Sequence, residues 1–309
     1  MAPDPDELPA GTRFARRYVI RERLGDGGMA RVYRAEHEDT GQSVAIKLLD
    51  PSITQDPKVV ARFLRELETS AEVRHENIVE LLDMGETADG RPFMAMELLQ
   101  GEVLLKTLRR EGPLPWERAK SMLLQVLAAL EAAHVRSIIH RDIKPENIFR
   151  VSRPGNDDFL KVFDFGIAKL TYGAEEQSVQ PLTADGVVLG TPEYMSPEQC
   201  LCQPIDARSD LYAVGVLAYE MLTGRAPFHA EDAATLMFHH IYEPVPTMAS
   251  VAPQLTIERA IEAVVCKALE KRPDARFQSA EQMAQAIRDE RVAEDKGLLS
   301  GLRKLLRRG

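Results

Sequence analysis

The chain has 309 residues, 28% of them charged, with a formal net charge of −9. That length allows one large domain or two small ones and a sizeable core. The acidic balance argues against nucleic acid as the main partner, and no apolar run approaches the about eighteen residues that a membrane-spanning helix needs. Three cysteines, Cys200, Cys202 and Cys266, form no disulfide framework and lack zinc spacing. They read as ordinary thiols in a reducing compartment.

Residues 1–13 are acidic and Pro-rich, without the apolar stretch of a secretory signal. They are expected to be disordered, and the protein cytoplasmic. From Tyr18 to about Glu97 short β-branched and aromatic runs predict strands: YVIRERL, ARVYRAEH, QSVAIKLL and FMAMELL. EDTGQ between the second and third predicts a hairpin. One helix is predicted over about 57–73, where Val60, Phe63, Leu64, Leu67 and Ala71 recur at helical spacing. From about Val103 the pattern is helical: WERAKSMLLQVLAALEAAH has one apolar face, SDLYAVGVLAYEMLTG is nearly all apolar and stops at Gly224, and further helices fall near 256–269 and 279–293. Strands followed by helices predict two lobes joined near 98–102, with a ligand cleft between them.

Four places carry chemistry. Glycines 25, 27 and 28 lie between two strand-like runs, where the backbone can approach a phosphate or simply turn a hairpin. The cluster leads into a strand and lacks the Lys of a Walker loop, which excludes both the dinucleotide and the P-loop readings. Lys47 ends the apolar VAIK; it either snorkels outward or pairs with a carboxylate, and Glu66 on the predicted helix is the candidate partner. IIHRDIKPENIF, residues 138–149, interrupts an apolar run with charges, and Pro145 marks it as a loop that could aim Asp142, Lys144 and Asn147 at one point. Asp164 closes an apolar strand before Gly166. A buried carboxylate there wants a cation, and Asp plus Asn is an oxygen-only set suited to Mg²⁺.

Together, in this order and spacing, LGDGGMARVY, VAIK, HRDIKPEN, DFG, GTPEY and MSPEQ resemble the bacterial eukaryotic-like (Hanks-type) serine/threonine protein kinases over about residues 15–290. The resemblance implies an α+β, bilobal protein kinase fold: an antiparallel-sheet lobe with one helix over about 14–99, a mainly helical lobe over about 102–293, and a tail over 294–309. It implies ATP and Mg²⁺ as cofactors and protein Ser/Thr hydroxyls as substrates. Asp142 would be the catalytic base. Lys144 would steady the transferring phosphate, Thr191 would bridge to Asp142, and Lys47 would hold the α- and β-phosphates with Glu66 as its partner. Asn147 and Asp164 would ligate the metal. Leu24, Gly25, Asp26, Gly27, Gly28, Val32, Ala45, Met96, Glu97, Leu99 and Phe149 would surround the nucleotide, with Met96 as gatekeeper. Two positions depart from the family pattern. Ala30 replaces the third loop glycine, and Ser196 replaces the usual Ala before Pro197 and Glu198, a change expected to be harmless. Glu198 would pair with Arg276, and Asp210 would brace the catalytic loop.

Thr171, Ser178, Thr183 and Thr191 lie between DFG and SPE. Thr183 is the expected autophosphorylation site, through a transient homodimer. The tail KGLLSGLRKLLRRG is basic and amphipathic; membrane contact, partner contact and a frayed end stay open. With no separate sensor domain read from the chain, input would come from a partner or this tail. The rival readings are a pseudokinase scaffold, whose sign would be loss of Lys47, Asp142, Asn147 or Asp164, and a small-metabolite kinase. All four residues are present.

Overall fold

A computed structural model describes residues 7–27, 30–51, 73–165 and 192–292. Six strands make one antiparallel sheet in the order β1-β2-β3-β4-β6-β5. They are β1 Arg13–Phe14, β2 Tyr18–Gly27, β3 Ala30–His37, β4 Ser43–Leu49, β5 Leu81–Glu86 and β6 Pro92–Glu97. The turn between β3 and β4 falls on EDTG, with Gly41 at φ 68°. Tyr18, Ile20, Tyr33, Ile46 and Phe93 form the buried centre of this lobe. The helix predicted over 57–73, Glu66 included, lies outside the described residues. Residues 7–13 correct the expectation of a disordered start. Gly11 N–H donates to Ile20 C=O at 2.8 Å, Leu8 packs on the sheet core, and Arg13 opens β1.

The second lobe is mainly helical: α1 Leu104–Glu111, α2 Trp116–His134, α3 Pro197–Cys200, α4 Ala207–Thr223, α5 Ala233–Tyr242, α6 Met248–Val251, α7 Arg259–Ala268 and α8 Ala280–Asp289. α2 buries the predicted face, Ala119, Met122, Leu123, Val126, Leu127 and Leu130, in the core that α4 crosses. α4 starts at an Asp206 cap and stops at Gly224 in the left-handed region (φ 82°), as its apolar run and terminal glycine require.

A three-stranded antiparallel sheet, β7 Gly101–Val103, β8 Ile148–Arg153 and β9 Asn156–Val162, caps this lobe beneath the first sheet. The junction expected over 98–102 is shorter than that. Only residues 98–100 lack regular structure, because Gly101 already pairs with Val151. Gly101 has φ 153°, and a Cβ there would sit 2.0 Å from Arg150 O, so no side chain fits. On the other side of the junction Lys161, 6% exposed, donates to Ile78 C=O at 3.2 Å and to the Glu97 carboxylate, tying β9 to the end of β6.

Candidate active site

A cavity of about 660 Å³ lies between the two sheets. Its apolar wall includes Leu24, Val32, Ala45, Met96, Leu99 and Phe149, and Gly25 and Glu97 also line it. At the polar end stand Lys47, Lys144, Asn147 and Asp164. Strand periodicity explains the wall. Ala45 and Lys47 are two apart on β4, Ala30 and Val32 on β3, and Gly101 and Val103 on β7, so each pair shares a face. Val79, Val103 and Phe163 were not anticipated from the sequence, whereas Ala30, the replaced loop glycine, lines the wall two residues before Val32. Asp26 and Gly27 form the tip of β2, paired with Arg31 and Ala30. Gly28, Glu66, Thr183 and Thr191 lie outside the described residues.

Lys47 Nζ donates to Asp164 Oδ2 at 2.6 Å, from β4 of one lobe to the segment after β9 of the other. The turn expected at Gly166 lies outside the described residues; Asp164 itself adopts the left-handed region, with φ 66°. Such strain in a non-glycine residue persists only where neighbours impose it. Here the His140 ring supplies two constraints. Its Nε2 bonds Phe163 C=O at 2.8 Å, and the ring packs edge-on against Phe165 with centroids 4.6 Å apart. Its Nδ1 accepts from Asp142 N–H at 3.2 Å, so the proton must sit on Nε2.

Asn147 ends the short turn Pro145–Asn147. Its amide Nδ2 donates to Asp142 C=O at 2.8 Å and to Asp142 Oδ2 at 2.9 Å. Lys144 Nζ lies 2.9 Å from the same Oδ2. With both amide protons so engaged, Asn147 keeps its carbonyl oxygen as a donor atom, and it lines the same cavity as Asp164. Two hard oxygen donors with open room beside them fit Mg²⁺, which keeps several non-protein ligands. Among the described residues no cluster of three His, Cys, Asp or Glu is arranged to hold a metal, so the ion would rely on this pair and on phosphate oxygens.

Asp210, 1% exposed in the first turn of α4, fixes the loop from below. Its carboxylate accepts from His140 N–H at 2.9 Å and Arg141 N–H at 2.8 Å, and His134 Nε2 lies 2.7 Å away. Arg276 and Glu198 form a buried bidentate pair, both contacts 2.7 Å. Burial alone would raise the Glu198 carboxyl, but the Arg276 hydrogen bonds and charge outweigh it, and the group is held below its ordinary range. Ser196 is more than a tolerated replacement: it caps α3 in a reciprocal box with Gln199. Sequence reasoning gave no role to Gln199, and it read His134 as a structural histidine without naming its partner. Their partners lie 58 and 76 residues away, and no local pattern marks such pairings.

An antiparallel sheet above, a helical body below, and a cleft where a lysine meets an Asp–Asn oxygen pair define the bilobal kinase class of fold and site. The model of the protein kinase domain matches residues 18–287, and the chain belongs to that family. The serine/threonine-protein kinase pkn3 of Myxococcus xanthus is 42% identical over 279 residues, which is 90% of this chain and 50% of pkn3. Pkn1 of the same organism is 45% identical over 269 residues, 87% of this chain and 37% of Pkn1. The chain thus spans half or less of the length of these relatives. The crystal structure of the Mycobacterium tuberculosis PknI kinase domain is similar with a TM-score of 0.71 at 27% identity, covering 92% of this chain and all of that one.

Proposed function

We propose that this chain is a serine/threonine protein kinase that transfers the γ-phosphate of ATP to Ser and Thr hydroxyls of proteins, its own included. The observation that carries the reading is the convergence of Lys47, Asp164, Asn147 and Lys144, from both lobes, on one cavity, with the Asp142 carboxylate held by Asn147 and Lys144 beside it. The adenine would lie against the apolar wall, below Met96 and beside the backbone of Glu97–Leu99. Lys47 would draw the phosphates toward Asp164, with Glu66 as its second carboxylate. The substrate hydroxyl attacks the γ-phosphorus as the bond to the β–γ bridging oxygen breaks, and ADP leaves. Asp142 Oδ2 is engaged by Asn147 and Lys144, so Oδ1 is the oxygen that orients the hydroxyl and takes its proton. Lys144 would steady the transferring phosphate, and Thr191 would bridge to Asp142. Mg²⁺ held by Asn147 and Asp164 would neutralise the β- and γ-oxygens.

The domain bounds that go with this reading are 14–293 for the kinase and 294–309 for a basic tail, in a cytoplasmic protein. Thr183 is the proposed autophosphorylation site, reached in a transient homodimer. With radiolabelled ATP, the purified chain should label itself and casein on Ser and Thr, and excess EDTA should reduce labelling to background. The 171–191 peptide should gain phosphate at Thr183 by mass spectrometry. Labelling that survives EDTA would remove the metal role, and an unmodified peptide would remove Thr183. Among the described residues no helix is long and apolar enough to cross a membrane. The tail carries Leu298, Leu299, Leu302, Leu305 and Leu306 with five cations, Lys296, Arg303, Lys304, Arg307 and Arg308, a composition suited to an anionic lipid surface. The full chain should co-sediment with phosphatidylserine vesicles and lose that property when residues 296–309 are deleted. Equal sedimentation of both forms would exclude the tail as the anchor.

A further inference from the structure

Arg141 precedes Asp142 with φ 71°, a conformation that costs energy in any residue but glycine. Something must hold it, and both peptide groups that flank its Cα are gripped from outside the loop. Its N–H donates to Asp210 Oδ1 at 2.8 Å. Its C=O accepts from Gln199 Nε2 at 2.8 Å. The peptide plane held by Gln199 is the one that carries the Asp142 N–H, and that N–H is bound in turn by His140 Nδ1 at 3.2 Å. The plane is therefore fixed at its oxygen and at its hydrogen, and with it the point from which the Asp142 side chain starts.

Gln199 is itself well held. It is 8% exposed, and its Oε1 accepts from Ser196 N–H at 2.9 Å, so Nε2 is the end turned toward Arg141. Ser196, fully buried, accepts on its hydroxyl oxygen from Gln199 N–H at 3.4 Å. The amide thus joins the backbone of residues 196–199 to the backbone of the catalytic loop.

We propose that Gln199 is a positioning residue for Asp142: its side-chain amide clamps the strained Arg141 peptide, so that Asp142 is aimed only when the segment leading into α3 is seated. This rests on the kinase reading. It predicts a loss in the chemical step without a loss in nucleotide binding, because Gln199 is not among the residues that line the cleft.

Gln199→Met removes the donor at similar length. Gln199→Glu removes the donor but keeps an oxygen for Ser196 N–H, which separates the clamp from the α3 cap. The full-length wild type and both variants are assayed with ATP and casein, with active sites counted by binding of a fluorescent ATP analogue. For both variants kcat should fall on the order of tenfold or more, toward the about 10²-fold that a small misplacement of a catalytic group can cause. KM for ATP should stay within about twofold. A kcat per folded site within about twofold of wild type in either variant overturns the clamp, whatever happens to the melting temperature, because the role would then be structural only. A loss in which KM for ATP rises while kcat holds also overturns it. An inactive wild type is a different failure: the kinase reading falls, and this inference with it.

Discussion

Asp142→Asn should lower phosphate transfer by at least on the order of 10²–10³, equivalent to about 3–4 kcal/mol of barrier, while ATP still binds. Asparagine keeps the volume of the carboxylate and an oxygen that Asn147 Nδ2 and Lys144 can still reach, so the loop has little reason to move. What is lost, in the proposed reading, is the basic atom that orients the hydroxyl and receives its proton. Lys47 and Asp164, 2.6 Å apart, do not depend on that atom, and in that reading they belong to the ground-state grip on nucleotide. The measurement pairs single-turnover transfer to casein with calorimetric ATP binding. Turnover like that of the wild type would refute the role given to Asp142. Loss of ATP binding in parallel with turnover would instead mean that the substitution had disturbed the cleft.

Arg276→Met is expected to be the most damaging substitution for the fold. The guanidinium is 2% exposed, and all five of its N–H groups have acceptors: both Glu198 oxygens and the carbonyls of Arg208, Glu270 and Lys271. Its plane also lies 4.9 Å from the Tyr212 ring. Removing it strands a nearly buried carboxylate and three carbonyls, which should cost about 3–5 kcal/mol and lower the melting temperature by roughly 10 °C. The pH dependence follows from the direction of the Glu198 shift. A carboxyl held below its ordinary range contributes stability above that range and loses it as pH falls through and below it. The gap between wild type and Arg276→Met should therefore narrow in acid. Glu198→Leu combined with Arg276→Met should melt above Arg276→Met alone, since no charge is then left unpaired. Denaturant and thermal melts across pH decide it. A gap that widens in acid, or a double variant less stable than the single, would contradict this account of the pair.

What could be read in the sequence was whatever leaves a local mark. Gly224 stops α4 where an apolar run meets a residue free to take positive φ. Glu198, Arg276 and Asp210 were found through motifs, and the structure joins them to each other and to the loop as expected. Elements with weak marks went unseen. β1 has two residues and shows no periodicity. β5, LLDMGE, lacks the alternation of a half-buried strand. β8 follows directly on the charged loop and was read as its continuation. The positive φ of Asp164 had no mark in the sequence, because it is His140, bonded to Phe163 and packed on Phe165, that over-determines the backbone there. The partners of Gln199, His134 and Lys161 were illegible for a different reason: they lie on distant stretches of chain, and residue type alone does not announce them.

The bare backbone at Gly101 constrains how the two halves of the molecule can rock. Downstream, β7 is latched to β8 at a point too tight for any side chain; upstream, the end of β6 is leashed to Lys161 on β9. A swing of the upper half along this strand of the connection must be absorbed by the torsions of Leu98, Leu99 and Gln100 alone. Two of those three residues, Leu98 and Leu99, also face the cavity, so the same few bonds that act as the axle feel whatever occupies the cleft.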